Sequence, residues 1–342
     1  MSRSGLVRLI KGAGTVSVLD AIPVFTVSAA ILAGLACWAS GGQSVSPPES
    51  DARAIYYPVT EASVSLRGRT EIAPIEVRPA RPAGNPPPVA QLAQSGQGFL
   101  TNTAISGIQR EFWASESQGG HDFYGGRWAP ENVQATYKGI ELAVHKENAP
   151  NSPYSMSEVR SKESLGYGRY EAVMQIGKGS GLVSAFFTYT GPYEGQPHDE
   201  VDIEFVGRDT TKVEFNYWRN GKSGDHATFD LPFDASAEPH LYAFEWLPDR
   251  ITWFIDGKPY YSTKPDDTHI PSHPGRMYFS HWTGIPAMEA WHGKPDFKSG
   301  EATIVQCASF TPVNEDAPSC SDEFDPASKA PAAIIAFLTL SP

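Results

Sequence analysis

Residues 198–207 read HDEVDIEFVG, so that acidic and apolar side chains alternate from Glu200 to Phe205. Side chains at i, i+2 and i+4 of a β-strand lie on one face, and alternation of this kind predicts such a strand. We therefore expect Glu200, Asp202 and Glu204 to share one face and the apolar residues between them to enter the opposite layer. The acidic face requires an explanation, because three neighbouring carboxylates repel one another and weaken the strand.

Two interpretations account for this acidic face. The first is an edge strand whose charges oppose aggregation, although natural edges more often carry Lys. The second, which we favour, is a catalytic cleft, because glycosidic hydrolysis uses two carboxyl groups, about 5–5.5 Å apart in a retaining enzyme. At ~3.3 Å per residue the Cα atoms of Glu200 and Glu204 would lie about 13 Å apart, and side chains that lean together would approach the retaining separation. Repulsion would keep one acid protonated, and Asp202 could share a proton or hydrogen bond with either neighbour.

The composition limits the class of protein. The chain has 342 residues and a formal net charge of −12, which argues against nucleic acid or an anionic membrane surface as the main partner. Charged residues make up only 19% of the chain, whereas Gly, Pro and aromatic residues are plentiful. This balance is typical of a loop-rich all-β protein, and the length allows one large domain or two small ones.

The first 40 residues have the pattern of a signal peptide or signal anchor. Arg3, Arg8 and Lys11 precede an uncharged apolar run over residues 21–39. The run is long enough to remain as a membrane anchor, and small residues near its end permit cleavage. A lipid anchor on Cys37 is a third interpretation. All three predict an exported catalytic part, extracellular or periplasmic, with anchoring to the membrane left open.

The rest of the chain divides into three predicted regions. Proline-rich sequence predicts a largely disordered linker over residues 41–105. Short strands with turns between them predict a β-sandwich or barrel over residues 106–315, with a hairpin turn at Asp256-Gly257. Residues 316–342 are a tail that ends in an apolar run too short to span a bilayer. The predicted strands are Tyr170–Met174, Leu182–Thr188, Val201–Val206, Thr211–Tyr217, His240–Trp246, Arg250–Ile255, Met277–Ser280 and Ala302–Phe310.

Two cysteines lie near the end of the chain, Cys307 and Cys320. An exported protein meets an oxidising environment, which permits a disulfide between them. Such a bond would join the tail to the last predicted strand.

Several separate motifs resemble those of the bacterial licheninases, which are β-1,3-1,4-glucanases of glycoside hydrolase family 16. Related bacterial exopolysaccharide depolymerases are similar too. The resemblance covers roughly residues 112–310 and implies a jelly-roll β-sandwich (concanavalin A-like) of two antiparallel sheets, with a concave substrate cleft. The motifs, which occur in the order found in the family, are Tyr167–Glu171, Gly181–Pro192, His198–Gly207, Asp209–Val213 and Phe215–Tyr217.

The resemblance also implies roles for individual residues. By position, Glu200 would be the nucleophile of a retaining hydrolysis, Glu204 the acid/base and Asp202 an assisting carboxylate. Aromatic rings in such a cleft stack on sugar faces and polar groups bind hydroxyls, although core packing is the alternative for each aromatic residue. The implied substrate-binding residues are Glu158, Arg160, Phe187, Tyr189, His198, Asn216, Trp218, Trp282 and Trp291.

Four positions depart from the licheninase pattern. His198 stands where the family usually has Trp, beside the nucleophile, and could hydrogen-bond a substrate group or an acidic substituent. Trp218 takes a position usually filled by Tyr, while Gly125 and Ser280 replace substrate-binding Asn residues. The substrate is therefore left open between mixed-linkage β-1,3-1,4-glucan and a bacterial exopolysaccharide with β-glucosyl linkages.

These residues together predict a retaining, endo-acting β-glucan hydrolase, monomeric, that works by double displacement through a glycosyl-enzyme. It would require no cofactor, although some relatives bind a structural Ca²⁺ mostly through backbone oxygens. Two alternatives stay open: a transglycosylase on the same site, and a non-catalytic carbohydrate-binding protein on the same sandwich. The intact acidic triad argues against the latter, because binding alone does not need so repulsive a cluster.

Overall fold

The fold is described from a computed structural model that describes residues 96–103, 109–117, 123–149, 152–325 and 330–331. Within these ranges the chain consists mainly of antiparallel strands. The strands are β1 (Phe99–Asn102), β2 (Phe112–Ala114), β3 (Arg127–Trp128), β4 (Val133–Thr136), β5 (Gly139–Lys146), β6 (Tyr154–Ser161), β7 (Gly168–Gln175), β8 (Leu182–Thr190), β9 (Asp199–Val206), β10 (Lys212–Arg219), β11 (Lys222–Ser223), β12 (Ala227–Asp230), β13 (His240–Leu247), β14 (Arg250–Ile255), β15 (Lys258–Ser262), β16 (Arg276–Thr283), β17 (Glu301–Pro312), β18 (Phe324–Asp325) and β19 (Ala330–Pro331).

The helical segments are all short. The described α-helices are Glu289–His292 and Cys320–Glu323, and the 3-10 turns are Pro130–Asn132, Pro192–Glu194 and Pro286–Met288.

The strands form two layers. Strands β12, β10, β9, β8, β16, β6 and β2 are hydrogen-bonded in that order and make what we call the cleft sheet, with β11 beside the end of β10. Strands β15, β14, β13, β7 and β17 make the backing sheet, which β17 extends to β1 at one end and to β5 and β4 at the other. These pairings are antiparallel, and β5 also joins β6 of the cleft sheet. The predicted jelly-roll sandwich is confirmed.

The core lies between the two layers and fixes the position of β9. Val201, Ile203 and Phe205 are fully buried in it, as the alternating sequence predicted. Burial of apolar side chains of this size stabilises the fold by roughly 1.5–3 kcal/mol each. From β14 of the backing sheet, Trp253 donates its indole N–H to the backbone carbonyl oxygen of Asp202 over 3.0 Å. The centre of the acidic strand is thus attached to the layer beneath it.

Each predicted strand lies within, or within one residue of, an observed strand. The hairpin turn at Asp256-Gly257 is also confirmed, because both residues have positive φ (48° and 74°) between β14 and β15. Strands β5 and β6 were not predicted. In β6, Ser155, Ser157 and Ser161 occupy one face and Glu158 and Arg160 the other, so polar residues occur on both faces and no alternation marks the strand.

The sandwich begins earlier in the chain than the predicted boundary at residue 106. Strand β1 lies inside the predicted linker and pairs with β17 over four residues, from Phe99↔Phe310 to Asn102↔Cys307. Phe99 packs edge-on against Phe112 of the core, at 5.9 Å between ring centroids, which gives this strand an apolar anchor. The remainder of the predicted linker, residues 41–95, lies outside the described residues.

The first part of the predicted tail docks on the backing sheet. The predicted disulfide between Cys307 and Cys320 is confirmed, and it joins β17 to the short helix Cys320–Glu323. The backbone N–H of Ser321 donates to the buried carboxylate of Glu171 on β7 over 2.8 Å. Most of the apolar end of the tail, residues 332–342, lies outside the described residues.

Candidate active site

The acidic face of β9 lies at the centre of the cleft sheet. Glu200, Asp202 and Glu204 are only 3%, 4% and 4% exposed, and their neighbours on β8 and β10 lie level with them. This placement excludes the solvated edge strand that was the alternative interpretation. The residues opposite the three acids are Trp218, Asn216 and Glu214 on β10, and Tyr189, Phe187 and Ala185 on β8.

Glu204 has the surroundings of a general acid. Burial raises its pKa well above the ordinary value, and the charges of Asp202 and Glu214 raise it further. Asn216 donates from Nδ2 to Oε2 of Glu204 over 2.8 Å, which opposes part of this rise and fixes the direction of the carboxyl group. A carboxyl group kept protonated at neutral pH can give its proton to a leaving oxygen.

Asp202 lies between the two glutamates and interacts with the first. Its pKa is raised well above the ordinary value by burial, then by the charge of Glu200 and a hydrogen bond with Glu200. When Asp202 is protonated and Glu200 ionised, Asp202 donates that hydrogen bond. The two carboxyl groups can therefore share one proton, as closely spaced carboxyl groups generally do.

His198 makes the second contact to Glu200. Its Nε2 lies 2.7 Å from Oε2 of Glu200. The imidazole stacks on Trp218, with 5.3 Å between centroids and 15° between planes, and meets the edge of Tyr189 at 5.4 Å. Burial lowers the pKa of His198 to about 4, so the ring is neutral at physiological pH.

Glu158 and Arg160 project from β6, two strands away from β8. Glu158 is 2% exposed; burial raises its pKa to about 7, while a 2.6 Å hydrogen bond from Ser115 to its Oε1 favours the ionised form. Arg160 lies opposite Tyr278 of β16, and its positive charge acts to lower the pKa of Glu158. Because Oε2 of Glu158 and Nε of Arg160 are buried with no hydrogen-bond partner among the described residues, both have capacity left for a ligand.

The aromatic residues predicted to bind substrate differ in how far they are buried. Phe187 and Tyr189 are nearly buried, and Phe187 stacks on Tyr278 at 4.8 Å. Trp282 is 2% exposed and packs against other rings, so core packing accounts for most of its surface. Trp218 and Trp291 are partly exposed, and each uses its indole N–H in the site.

One row of residues runs across the cleft sheet through its centre. The members face one another on successive strands and are Asn216, Asp202, Phe187, Tyr278, Arg160 and Trp113. At ~4.8 Å between strands the row is about 24 Å long. It ends at Trp113, which is 49% exposed and lies under the guanidinium of Arg276 at 5.5 Å. The row therefore defines an extended surface on either side of the acids.

Four residues of this surface were missed by sequence reasoning. They are Trp113, Tyr124, Glu214 and Tyr278. Tyr124 is buried, and its pKa is raised well above the ordinary value by burial and then by the charges of Glu158, Glu200 and Glu204. Glu214 could have been found, because Glu214, Asn216 and Trp218 alternate along β10. The segment that carries Tyr124 has no such period.

The comparisons with known proteins agree with this geometry. Residues 120–302, just over half of the 342-residue chain, match the sequence profile of the glycosyl hydrolases family 16. A Beta-glucanase of Bacillus amyloliquefaciens is 40% identical over 204 residues, which are 59% of this chain and 82% of that protein. A Beta-glucanase of Acetivibrio thermocellus is 37% identical over 212 residues, 61% of this chain, and the match spans only 62% of that relative.

A solved structure shows the same relationship. The crystal structure of a prokaryotic beta-1,3-1,4-glucanase (lichenase) from a mouse hindgut metagenome superposes with a TM-score of 0.59 at 34% identity, over 64% of this chain and 100% of the other. The chain therefore belongs to glycosyl hydrolases family 16, and the resemblance to the licheninases is confirmed.

Two further observations concern metals and membranes. Among the residues that the structure describes, no group of three or more His, Cys, Asp and Glu side chains is arranged to hold a metal ion. A Ca²⁺ site made mostly of backbone oxygens stays a prediction. Over the same ranges, no helix has the length and apolar character needed to cross a membrane. The predicted signal peptide or signal anchor, residues 1–40, lies outside the described residues.

Proposed function

We propose that the protein is a retaining, endo-acting β-glucan hydrolase. The observation that carries the proposal is the arrangement on β9, where three buried carboxyl groups share one face and two of them, Asp202 and Glu204, have raised pKa values. A structural role explains this poorly, because burial of such a cluster is costly. Catalysis explains it, since the reaction needs one ionised and one protonated carboxyl group side by side.

The mechanism assigns one step to each acid. Glu200 attacks the anomeric carbon, and Glu204 gives its proton to the departing glycosidic oxygen, so that a glycosyl-enzyme ester forms. Glu204, now ionised, takes a proton from water, and the resulting hydroxide releases the sugar and regenerates Glu200. Asp202 holds the proton it shares with Glu200 throughout. No cofactor enters these steps.

The surface around the acids supports a polymeric, uncharged β-glucosyl substrate. The row from Asn216 to Trp113 is long enough to contact several sugar units, which favours cleavage within a chain. Because His198 is neutral at physiological pH, it provides no positive charge for an acidic substituent beside Glu200. Two substrates fit this surface: mixed-linkage β-1,3-1,4-glucan, for which the hindgut lichenase is named, and a bacterial exopolysaccharide with neutral β-glucosyl linkages.

The setting of this activity rests on sequence alone. The basic and apolar N-terminal pattern favours an exported enzyme that meets its polysaccharide outside the cytoplasm, with the segment either cleaved off or kept as an anchor. We expect the enzyme to be a monomer. Fractionation of the producing cells, with detection of the chain in the membrane and in the medium, tests this.

A panel of polysaccharides tests the function. Purified protein is incubated with barley mixed-linkage glucan, laminarin, carboxymethylcellulose and a bacterial β-glucosyl exopolysaccharide, and new reducing ends and product sizes are measured. We expect a rapid fall in chain length with one of the β-glucans, and no activity in Glu200→Gln. Glu245→Gln, on β13 of the backing sheet, is the matched control and should remain fully active.

Three outcomes would overturn or change the proposal. Full activity of Glu200→Gln would contradict the assigned nucleophile. Products longer than the substrate, formed when an oligosaccharide acceptor is added, would indicate a transglycosylase. Binding of a glucan without any cleavage would indicate a carbohydrate-binding protein.

A further inference from the structure

The nucleophile and the acid/base are joined by a continuous chain of side-chain contacts outside the β9 backbone. Glu200 contacts His198 at 2.7 Å, and the imidazole of His198 stacks on Trp218. Trp218 donates its indole N–H to Oδ1 of Asn216 over 3.0 Å, and Asn216 donates to Glu204 over 2.8 Å. Three of the four links are hydrogen bonds, which are directional, and the fourth is a ring stack, so the chain restricts the positions of both carboxyl groups relative to each other.

The first link defines the protonation state of His198. Glu200 must be ionised to act as the proposed nucleophile, and an ionised carboxylate can only accept hydrogen bonds, so in that state the Nε2 atom at 2.7 Å carries a hydrogen. Burial lowers the pKa of His198 and thereby opposes the gain of a second proton by the ring. A neutral donor of this kind orients Glu200 without cancelling the negative charge that makes it a nucleophile.

We propose that His198 is a positioning residue for the nucleophile: as the neutral Nε2–H tautomer, held flat against Trp218, it donates to Oε2 of Glu200, directs the carboxylate and favours its ionised form. This inference rests on the proposed function for its catalytic meaning. It also assigns a purpose to the position at which the licheninase pattern usually has Trp. An indole ring has a single N–H and no second nitrogen, so it offers a different set of contacts there.

Several other ionisable groups face this pair. On β9 itself these are Asp199, Asp202 and Glu204, and from other elements Tyr189 on β8 and Tyr124 before β3. The carboxylate of Asp199 is already occupied by His273 and by backbone N–H groups of Asn220, Ser272 and His273. The substitutions at His198 described below leave all of these groups in place. A difference in pH profile between those variants and the wild type is therefore due to His198.

Two substitutions separate the hydrogen bond from the stacking. His198→Phe keeps a flat ring against Trp218 and removes the donor, whereas His198→Gln keeps an N–H group at similar reach and removes the ring. We expect His198→Phe to lower kcat/KM by roughly 10- to 100-fold, mainly through kcat, because a hydrogen bond to a charged group is lost. The acidic limb of its pH profile should move upward, because Glu200 then keeps its proton to higher pH. His198→Gln should recover most of both effects.

The proposal is overturned if the acidic limb of His198→Phe coincides with that of the wild type, or if His198→Gln is no better than His198→Phe. His145→Phe, on β5 outside the cleft sheet, is the matched control and should keep the wild-type profile. Circular dichroism and thermal midpoints establish that each variant is folded.

A measurement independent of activity keeps the two proposals distinct. In ¹⁵N-labelled protein, the imidazole nitrogens of His198, identified by their absence in His198→Phe, should report a neutral Nε2–H tautomer from pH 5 to 8. Titration near the ordinary pKa of about 6.5, or a hydrogen on Nδ1 alone, would overturn the inference even in an active enzyme. If the predicted tautomer is present but no polysaccharide is cleaved, the proposed function fails and the contact stands.

Discussion

Glu214 lies directly opposite Glu204 on neighbouring strands, with β10 and β9 in antiparallel register at this pair. The two carboxyl groups raise the proton affinity of the site, and the charge of Glu214 contributes to the raised pKa of Glu204. Glu214 also accepts from the indole of Trp291 at 3.1 Å and contacts His226 at 3.0 Å. It is thus a fixed negative charge beside the proposed acid/base.

Removal of this charge should change the pH range of the enzyme. In Glu214→Gln the amide still accepts from Trp291, but the repulsion that holds the proton on Glu204 is gone. The pKa of Glu204 falls, so the basic limb of the kcat/KM profile should move to lower pH by roughly 0.5–1 unit. Glu214→Asp keeps the charge and is the control. An unchanged basic limb in the Gln variant would show that Glu214 does not act on the acid.

Asn216 should have the opposite effect. Its hydrogen bond to Oε2 stabilises the ionised form of Glu204, so Asn216→Ala raises the pKa of Glu204 further and moves the basic limb to higher pH. Activity should also fall by roughly 10- to 100-fold, because the carboxyl group is no longer directed. The same pH–rate measurement tests both variants. Shifts in the same direction for Asn216→Ala and Glu214→Gln would contradict the electrostatic account.

Glu158 should make the fold less stable as the pH rises. Its pKa is about 7 in the folded state, above the unfolded value of about 4.3, because burial disfavours the charged form. Below about pH 4 Glu158 is protonated in both the folded and the unfolded state, so its ionisation costs the fold no stability. Between about pH 4 and 7 the unfolded state ionises first and stability falls, and above 7 the loss is constant.

Glu158→Gln removes this loss and retains an acceptor for Ser115. Relative to the wild type it should gain roughly 2–3 kcal/mol of unfolding free energy between pH 4 and pH 8, measured by urea denaturation at both values. Glu245→Gln, a partly exposed substitution, is expected to show little change. An equal difference at both pH values would mean that Glu158 titrates normally in the folded protein. The KM of Glu158→Gln should also rise, because the carboxylate of Glu158 faces the cleft.

The disulfide should contribute to stability but not to catalysis. Cys307 and Cys320 are separated by 13 positions, and a loop of this size corresponds to about 3 kcal/mol. Replacement of both by Ala should lower the thermal midpoint by roughly 5–10 °C, while kcat/KM at 25 °C stays unchanged because the bond lies on the backing sheet. The midpoint is followed by circular dichroism with and without reductant. A variant that melts with the wild type, or that loses activity while folded, would contradict this placement.

The sequence predicted the acidic strand because its pattern is local. Alternation from Glu200 to Phe205 needs no other part of the chain, because one face enters the apolar core and the other carries the three acids. Strand β6 was not predicted, although it carries Glu158 and Arg160, because serines occupy most of its other face and no alternation of apolar and polar residues results. Family resemblance, not periodicity, identified those two residues.

The chain of contacts around the acids could not be predicted from sequence patterns. It depends on the register of β9 against β10, which pairs Glu200 with Trp218 and Asp202 with Asn216. A shift of one residue would turn every one of these side chains to the other face. Register is set by the packing of two whole layers, so the contact of His198 with Glu200 becomes visible only in the folded chain.

If Glu200 forms a covalent bond to the sugar and water later replaces it, the new reducing end keeps the configuration of the cleaved linkage. Proton NMR of a β-glucan digestion, recorded within the first minutes, shows which anomer of the new reducing end appears first. We expect the β-anomer first, followed by slow mutarotation to the equilibrium mixture. An α-anomer as the first product would contradict it.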